Sequence, residues 1–311
     1  MMFLEEGNFL EKNAVVFCVT GPHLQLATVA IYSLIDHYQS ETSLKILVVC
    51  DNIFQRDISF VRSLPNKMNK PMISIDFWQP PELVKDIKPY RMNGRSDLAP
   101  AMVFWRMFLP SYFSGYQKIL YLDNDVVINT DVTNLFNALD DSHTLAAVGD
   151  FLFNAGKEFT SDSSISNELS YFYGMSDLQR YFNGGVIVMN VAKYNDSYSP
   201  SQILEIISST SWNLADQTLM NIMFKDSTIL LPYRYNFQHS LDYFNNRSRW
   251  LPSKREAILA EYPATLIRHF AGEEPLSAPY EHVIVRDKWE ETFWKTMMSV
   301  KKLAFSSYND R

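Results

Sequence analysis

"KILYLDNDVVIN", residues 118–129, sets two carboxylates one residue apart directly behind an apolar run. A carboxylate is costly to take out of water without a partner, so Asp123 and Asp125 call for something positive nearby. In extended backbone, residues i and i+2 point to the same side, and the two acids can converge on one point in space. Like charges there repel unless a cation lies between them. Hard oxygen ligands suit Mg²⁺ or Mn²⁺, in sites that keep positions open for water and phosphate. The tripeptide alone also allows a solvated turn capped by Asn124. An EF-hand is excluded, since nothing after Asp125 follows the Ca²⁺-loop spacing.

Outward from this stretch, short Val- and Ile-rich runs alternate with segments of helical period, the pattern of an α/β fold with a mainly parallel central sheet flanked by helices. "AVVFCVT" (14–20), "LKILVVC" (44–50) and "MISIDF" (72–77) read as strands. Between them, 26–38 and "FQRDISFVRSL" read as helices, the first with Ala27, Ala30, Ile31, Leu34, Ile35 and Tyr38 on one face. Residues 78–97 hold three prolines and read as connection, followed by a helix over 99–109 carrying Arg106. "QKILYLD" then delivers Asp123 to a strand's carboxyl end, where open α/β sheets bind ligands. Further strands are expected at 144–150, 183–190, 228–231 and 264–270, and helices at 200–209, 214–224 and in the C-terminal tail. The polar stretch "NAGKEFTSDSSISNE" reads as a lid or disordered loop. We divide the chain into a domain over 12–285 and a helical tail over 286–311.

The 311 residues are 47% apolar and 20% charged, as in a globular protein, and allow a sizeable core. A net charge of −7 with no long basic run is the wrong footprint for a nucleic-acid partner. Cys18 and Cys50, each inside an apolar run, read as buried free thiols in a reducing compartment. The acid-bearing N-terminus is unlike a signal peptide, and no apolar run nears the ~18 residues of a membrane helix. A cytoplasmic location is expected, with membrane contact at most peripheral at the inner face. The tail carries Lys295, Lys301 and Lys302 beside Trp289, Phe293 and Trp294, and reads as a helix docked on the domain or touching a membrane surface.

Seven motifs occur in the order in which they stand in family 8 glycosyltransferases, which include glycogenin and bacterial lipooligosaccharide galactosyltransferases. They are "VVFCVTGPH", Arg106, "YLDNDVVI", "FNGGVIVMN", "ADQTLMN", "YRYNF" and "RHFAG", spread over roughly residues 14–275. The resemblance implies a GT-A-type nucleotide-sugar fold that takes a UDP-hexose donor and Mn²⁺, with Mg²⁺ as the alternative. It makes Asp123, Asp125 and His269 the metal ligands. An imidazole beside two carboxylates tilts selectivity toward Mn²⁺; from sequence alone His269 also fits a hydrogen-bonded strand end.

The same resemblance puts the uracil on the backbone of Cys18 and Val19, with Thr20 and the ring of His23, although "TG" stands where the bacterial branch has two acids. It sets Arg106 near the donor diphosphate and sugar, with Asn124 and Gly272 also on the donor side; by itself, a buried arginine fits an ion pair with a structural acid equally well. Asn183 would hydrogen-bond donor hydroxyls, with Gly184 and Gly185 letting backbone approach the sugar, or the glycines could mark a β-bulge. Asp216 would bind the hexose and Gln217 would lie under its reacting carbon, while Asn213 and Asp216 also fit a helix N-cap and N3 pair. Arg234 and Asn236 fall on the acceptor side, in a segment whose aromatic residues fit a core equally well. After "HFAG" the chain departs from the family: "EEPLSAPY" stands where a lysine, proline and tryptophan are usual, setting Glu273 and Glu274 near the expected diphosphate.

The resulting expectation is a metal-dependent retaining hexosyltransferase that moves galactose or glucose from a UDP-sugar to a glycan, glycolipid or glycoprotein. Gln217 is a poor nucleophile, which favours front-face transfer over a covalent intermediate. Two rivals are weighed. One is a catalytically weak or inactive partner of another glycosyltransferase, to which Glu273 and Glu274 point. The other is a nucleotidyltransferase, which would need a glycine-rich phosphate loop where "TGPHLQ" has one glycine.

Overall fold

Strand β1 (Asn13–Thr20) lies in the middle of the sheet and is buried on both faces, which explains its unbroken apolar sequence. Val15, Phe17 and Val19 point to one side and meet Ala27, Ala30, Ile31 and Leu34 of the Leu24–His37 helix. Ala14, Val16 and Cys18 point to the other, against Phe104, Met107 and Phe108. The alternation of the strand thus divides the core into two halves. The computed structural model describes residues 12–85, 87, 90–91, 98–99, 101–159, 178–209, 215–272, 279 and 284–309.

The other strands are β2 (Leu44–Asp51), β3 (Ile73–Trp78), β4 (Tyr90–Arg91), β5 (Leu98–Ala99), β6 (Lys118–Leu122), β7 (Val126–Ile128), β8 (Leu145–Gly149), β9 (Phe182–Asn190), β10 (Thr228–Leu231) and β11 (Ile267–His269). Seven form one sheet in the order β10-β8-β9-β6-β1-β2-β3, in which β9 alone runs antiparallel to its neighbours. β1 pairs with β6 only as far as Val16–Tyr121, so beyond Leu122 a gap opens beside the end of β1. The order also reverses there, since β1 leads outward to β2 and β3 on one side and to β6 on the other. This is the kind of crevice in which open α/β sheets hold ligands.

Most expected elements form, with three differences. Residues 101–108 make a 3₁₀ helix followed by one α-turn at Leu109–Tyr112, instead of a helix from 99, and Ala99 belongs to β5. Such a long 3₁₀ run is uncommon. The expected strand at 264–270 shrinks to β11, because Tyr262–Ala264 turns as 3₁₀ around Pro263. Residues 124 and 125 form a turn between β6 and β7 instead of extended chain. Of the proposed lid (154–168), residues 160–168 lie outside the described residues, as do Asn213, Glu273 and Glu274.

β7 leaves the main sheet and pairs antiparallel with β11, setting His269 opposite Val126. Ser33 of the first helix anchors this pair: its hydroxyl accepts from the Ile128 N–H (3.0 Å) and donates to the Ala30 carbonyl (2.8 Å). The Lys288–Asn309 helix docks on the same region, with Trp289, Phe293 and Met297 against Leu26, Val29, Val127 and Phe270. Among the described residues no helix is long and apolar enough to cross a membrane.

Ser33→Ala would leave the buried Ile128 N–H without an acceptor. A loss of about 1–3 kcal/mol is expected, read as a lower urea midpoint with an unchanged slope.

Candidate active site

The acids at the end of β6 are joined by groups from four other segments. Hydrogen bonds from the Asp123 N–H to the Gly185 carbonyl (2.9 Å) and from the Phe270 N–H to the Asp125 carbonyl (2.8 Å) tie the turn to β9 and to β11. His269 Nε2 lies 3.2 Å from Asp125 Oδ1 and 3.6 Å from Asp123 Oδ2. One ligand atom from each of Asp123, Asp125 and His269 falls within 4.8 Å of the others, so the three can hold a metal ion. The convergence expected of an extended i, i+2 pair is achieved by the turn, with His269 closing the set from the far end of the chain.

The imidazole is buried, whereas the two carboxylates stay partly open to solvent, at 23% and 27% side-chain exposure, leaving a side for water or a ligand. Burial works against charge on both His269 and Asp125, but their mutual attraction and hydrogen bond win: the imidazole rises above its usual range and the acid falls below its own.

Arg106 sits behind the acids, nearly buried. Its Nη2 is 3.1 Å from Asp123 Oδ1, its Nε 2.8 Å from Asp216 Oδ2, and its Nη1 donates to the Gly184 carbonyl at 2.6 Å. The guanidinium lies 4.4 Å from the ring centre of Tyr121, whose hydroxyl donates to Asp123 Oδ1 at 2.6 Å. Burial disfavours this charge, yet Asp123 and Asp216 more than restore it, and the guanidinium stays protonated. Arg106 thus makes the ion pair that its burial called for, with two acids, one of them in the Asp123, Asp125 and His269 group. Burial pushes Asp216 up to about 6 against the pull of Arg106. One guanidinium and one imidazole face three carboxylates, Asp123, Asp125 and Asp216, a surplus of negative charge that a divalent cation would offset.

Asp150, which no motif singled out, is the hub of the inner wall. It ends β8 and caps the Phe151–Ala155 helix: Oδ1 accepts from the N–H groups of Leu152 (3.0 Å) and Phe153 (3.2 Å). Its Oδ2 accepts from Asn183 Nδ2 and Gln217 Nε2, both at 3.2 Å. An acid at the carboxyl end of a buried parallel strand was the available signal, the same one that drew attention to Asp123. Gln217 Oε1 accepts from the Gly184 N–H (2.9 Å), so its amide is held at both ends.

Gly185 has a role different from the expected one. A methyl group there would lie 2.6 Å from His269 Nδ1 and 3.0 Å from Asp123 Oδ2, so the glycine makes room for the imidazole. At Gly184 a methyl would come 3.0 Å from Arg106 Nη1. Asn236, expected on the acceptor side, is fully buried between His269 and Asn183. Arg234 does lie toward the surface, paired with Glu261 at 3.7 Å. At the first loop, Asn124 Nδ2 donates to the Cys18 carbonyl (2.8 Å), tying the turn after β6 to the end of β1. Val19 is buried in β1, Thr20 Oγ1 bonds His23 Nδ1 at 3.0 Å, and Gly272 is exposed beyond β11.

Comparison with known proteins agrees with this architecture. The model of glycosyl transferase family 8 matches residues 14–273, and the chain belongs to that family. Glycosyltransferase GlyE of Streptococcus pneumoniae serotype 4 (strain TIGR4) is 27% identical over 236 residues, 75% of this chain and 49% of GlyE. The chain therefore spans about half of that relative's length. Among solved structures, the apo bifunctional glycosyltransferase WbbM superposes with a TM-score of 0.77 at 20% identity, covering 96% of this chain and 52% of WbbM. The galactosyltransferase LgtC, solved with donor and acceptor sugar analogs, gives 0.67 at 21% identity, covering 92% of this chain and 95% of its own. The fold is of the GT-A type.

Two outcomes follow from the geometry. Gly185→Ala displaces His269 and is expected to weaken Mn²⁺ binding about 10–100-fold, measured by electron paramagnetic resonance of free Mn²⁺, with the circular dichroism of the fold retained. Asp216, whose carboxyl is raised on folding, contributes stability that is present below its ordinary value of about 3.9 and is lost as pH climbs through about 6. Relative to Asp216→Asn, the wild type is therefore expected to lose ground between those values in urea titrations run at several pH values.

Proposed function

We propose that this protein is a metal-dependent retaining glycosyltransferase that moves galactose or glucose from a UDP-sugar to a hydroxyl of a glycan, glycolipid or glycoprotein. The convergence of Asp123, Asp125 and His269 carries the reading. Two carboxylates and an imidazole suit Mn²⁺, with Mg²⁺ as the alternative, and the partly open carboxylates leave room for diphosphate oxygens. A divalent cation bound there would neutralise the charge that grows on the departing diphosphate.

The chain's own groups define the rest. Arg106 holds Asp123 and Asp216 in fixed directions, so the acids facing the donor do not need to reorganise during the reaction. Asp216, with one oxygen on Arg106, has the other for a hexose hydroxyl. Asp150 and Gly184 hold the Gln217 amide from both ends. A pinned, neutral amide is no nucleophile, and this supports front-face transfer over a covalent intermediate. In that step the bond from the anomeric carbon to the phosphate oxygen breaks and a bond to the acceptor oxygen forms on the same face. The acceptor's proton passes to the departing phosphate oxygen, and the configuration is retained. His23, whose Nδ1 lies 3.0 Å from Thr20 Oγ1, would stack on the base. We assign the reaction to the cytoplasm, with membrane contact at most peripheral.

With UDP at millimolar concentration, Mn²⁺ is expected to raise the melting temperature of the wild type but not of Asp125→Ala. Hydrolysis of a panel of UDP-sugars with Mn²⁺ should name the donor and fall at least 100-fold in the variant. No Mn²⁺-dependent shift and no hydrolysis would instead favour an inactive partner of another glycosyltransferase.

A further inference from the structure

The stretch 234–238 runs alongside β11 on the edge away from β7. The Leu266 N–H donates to the Arg234 carbonyl (2.8 Å), the Phe237 N–H to Ile267 (2.9 Å), the His269 N–H to Phe237 (2.9 Å) and the Ala271 N–H to Gln238 (3.2 Å). This pairing fixes Asn236 behind the imidazole, at zero exposure and out of contact with solvent. Its amide makes two contacts: Nδ2 donates to Asn183 Oδ1 (2.9 Å), and Oδ1 lies 3.0 Å from His269 Nδ1.

Which end of that amide faces the histidine is fixed by a backbone group. The Gly185 N–H points at the Asn183 side chain (3.0 Å), and a backbone N–H can only donate, so the Asn183 atom there is its oxygen. The Asn183 nitrogen then faces Asp150 Oδ2, a carboxylate that accepts it. The Asn236 atom on the Asn183 oxygen must be a donor, its nitrogen. The remaining Asn236 atom, its oxygen, faces His269 and can only accept. His269 Nδ1 must therefore carry the proton.

We propose that Asn236 is a positioning residue that accepts the Nδ1–H of His269 and so reserves Nε2, which faces Asp123 and Asp125, as the atom that gives up its proton and turns its lone pair to a cation bound there. Outer partners of this kind fix the orientation of metal-binding histidines and raise their basicity. Here the partner is a neutral amide, itself fixed by Asn183 and, through it, by a β9 backbone N–H and by Asp150. Gln217 also bonds Asp150 Oδ2, so one chain of amides links the metal-ligand histidine to the residue expected beneath the sugar. The inference rests on the metal-site reading given under Proposed function.

The test compares Mn²⁺ and Mg²⁺ affinities, by calorimetry, for wild type and Asn236→Leu, with a thermal melt without metal to establish folding. The variant is expected to bind Mn²⁺ about 10–100-fold more weakly, with a smaller loss for Mg²⁺, because the imidazole matters most for the softer ion. Unchanged Mn²⁺ affinity, or equal losses for both ions, would overturn the positioning role. If wild type binds neither ion, the metal-site reading itself fails, which is a separate result. Should Asn236→Leu not fold, nitrogen-15 spectra of histidine-labelled wild type with Mg²⁺ decide, the His269 signals being assigned by their loss in His269→Gln. A protonated Nδ1 supports the inference, and a bare Nδ1 overturns it.

Discussion

Asp123 and Asp125 crowd together at the carboxyl end of β6, with Asp216 nearby beyond Arg106, and the surrounding structure answers that repulsion. Asp123 and Asp125 could not stay ionised side by side in a largely apolar surrounding without opposite charge. The fold brings one guanidinium from behind, on a 3₁₀ helix, and one imidazole from the side, on a three-residue strand. Neither neutralises the cluster alone, and together they still leave it net negative when Asp123, Asp125 and Asp216 are ionised. That residual charge, on the partly exposed side of the turn, would suit a doubly charged ion.

The pairing of β7 with β11 is what makes the arrangement possible. It joins Val126–Ile128 to Ile267–His269, far apart in the chain, and fixes the His269 ring against Gly185, where any side chain would collide with it. Ser33 and the docked C-terminal helix hold the pair against the main domain through one buried hydrogen bond and an apolar face. Stability and site are thus coupled through a short sheet. β7 and β11 contribute little area of their own, and their alignment depends on neighbours on both sides.

The inner wall follows the same logic. Asp150, Asn183, Gln217 and Asn236 come from four chain segments and satisfy one another almost completely, as a buried polar network must to be tolerated. Each amide has its orientation dictated by the next, so the wall is rigid before any ligand arrives. Preorganised dipoles of this kind suit a reaction whose main demand is to stabilise charge on a leaving group.

From the sequence alone, the alternating α/β plan, the buried strands, the acidic pair and the motif set of the family could be read, because hydrophobic period and residue chemistry are local properties. The i, i+2 acids and the amphipathic tail were legible for the same reason. Tertiary structure alone decided that residues 101–108 wind as 3₁₀, that Asn236 lies behind His269 instead of facing an acceptor, that Gly185 makes room for a ring, and that Asp150 is a hub. These depend on which group from a distant segment arrives to accept a hydrogen bond or fill a space, and nothing in the neighbouring residues records that choice.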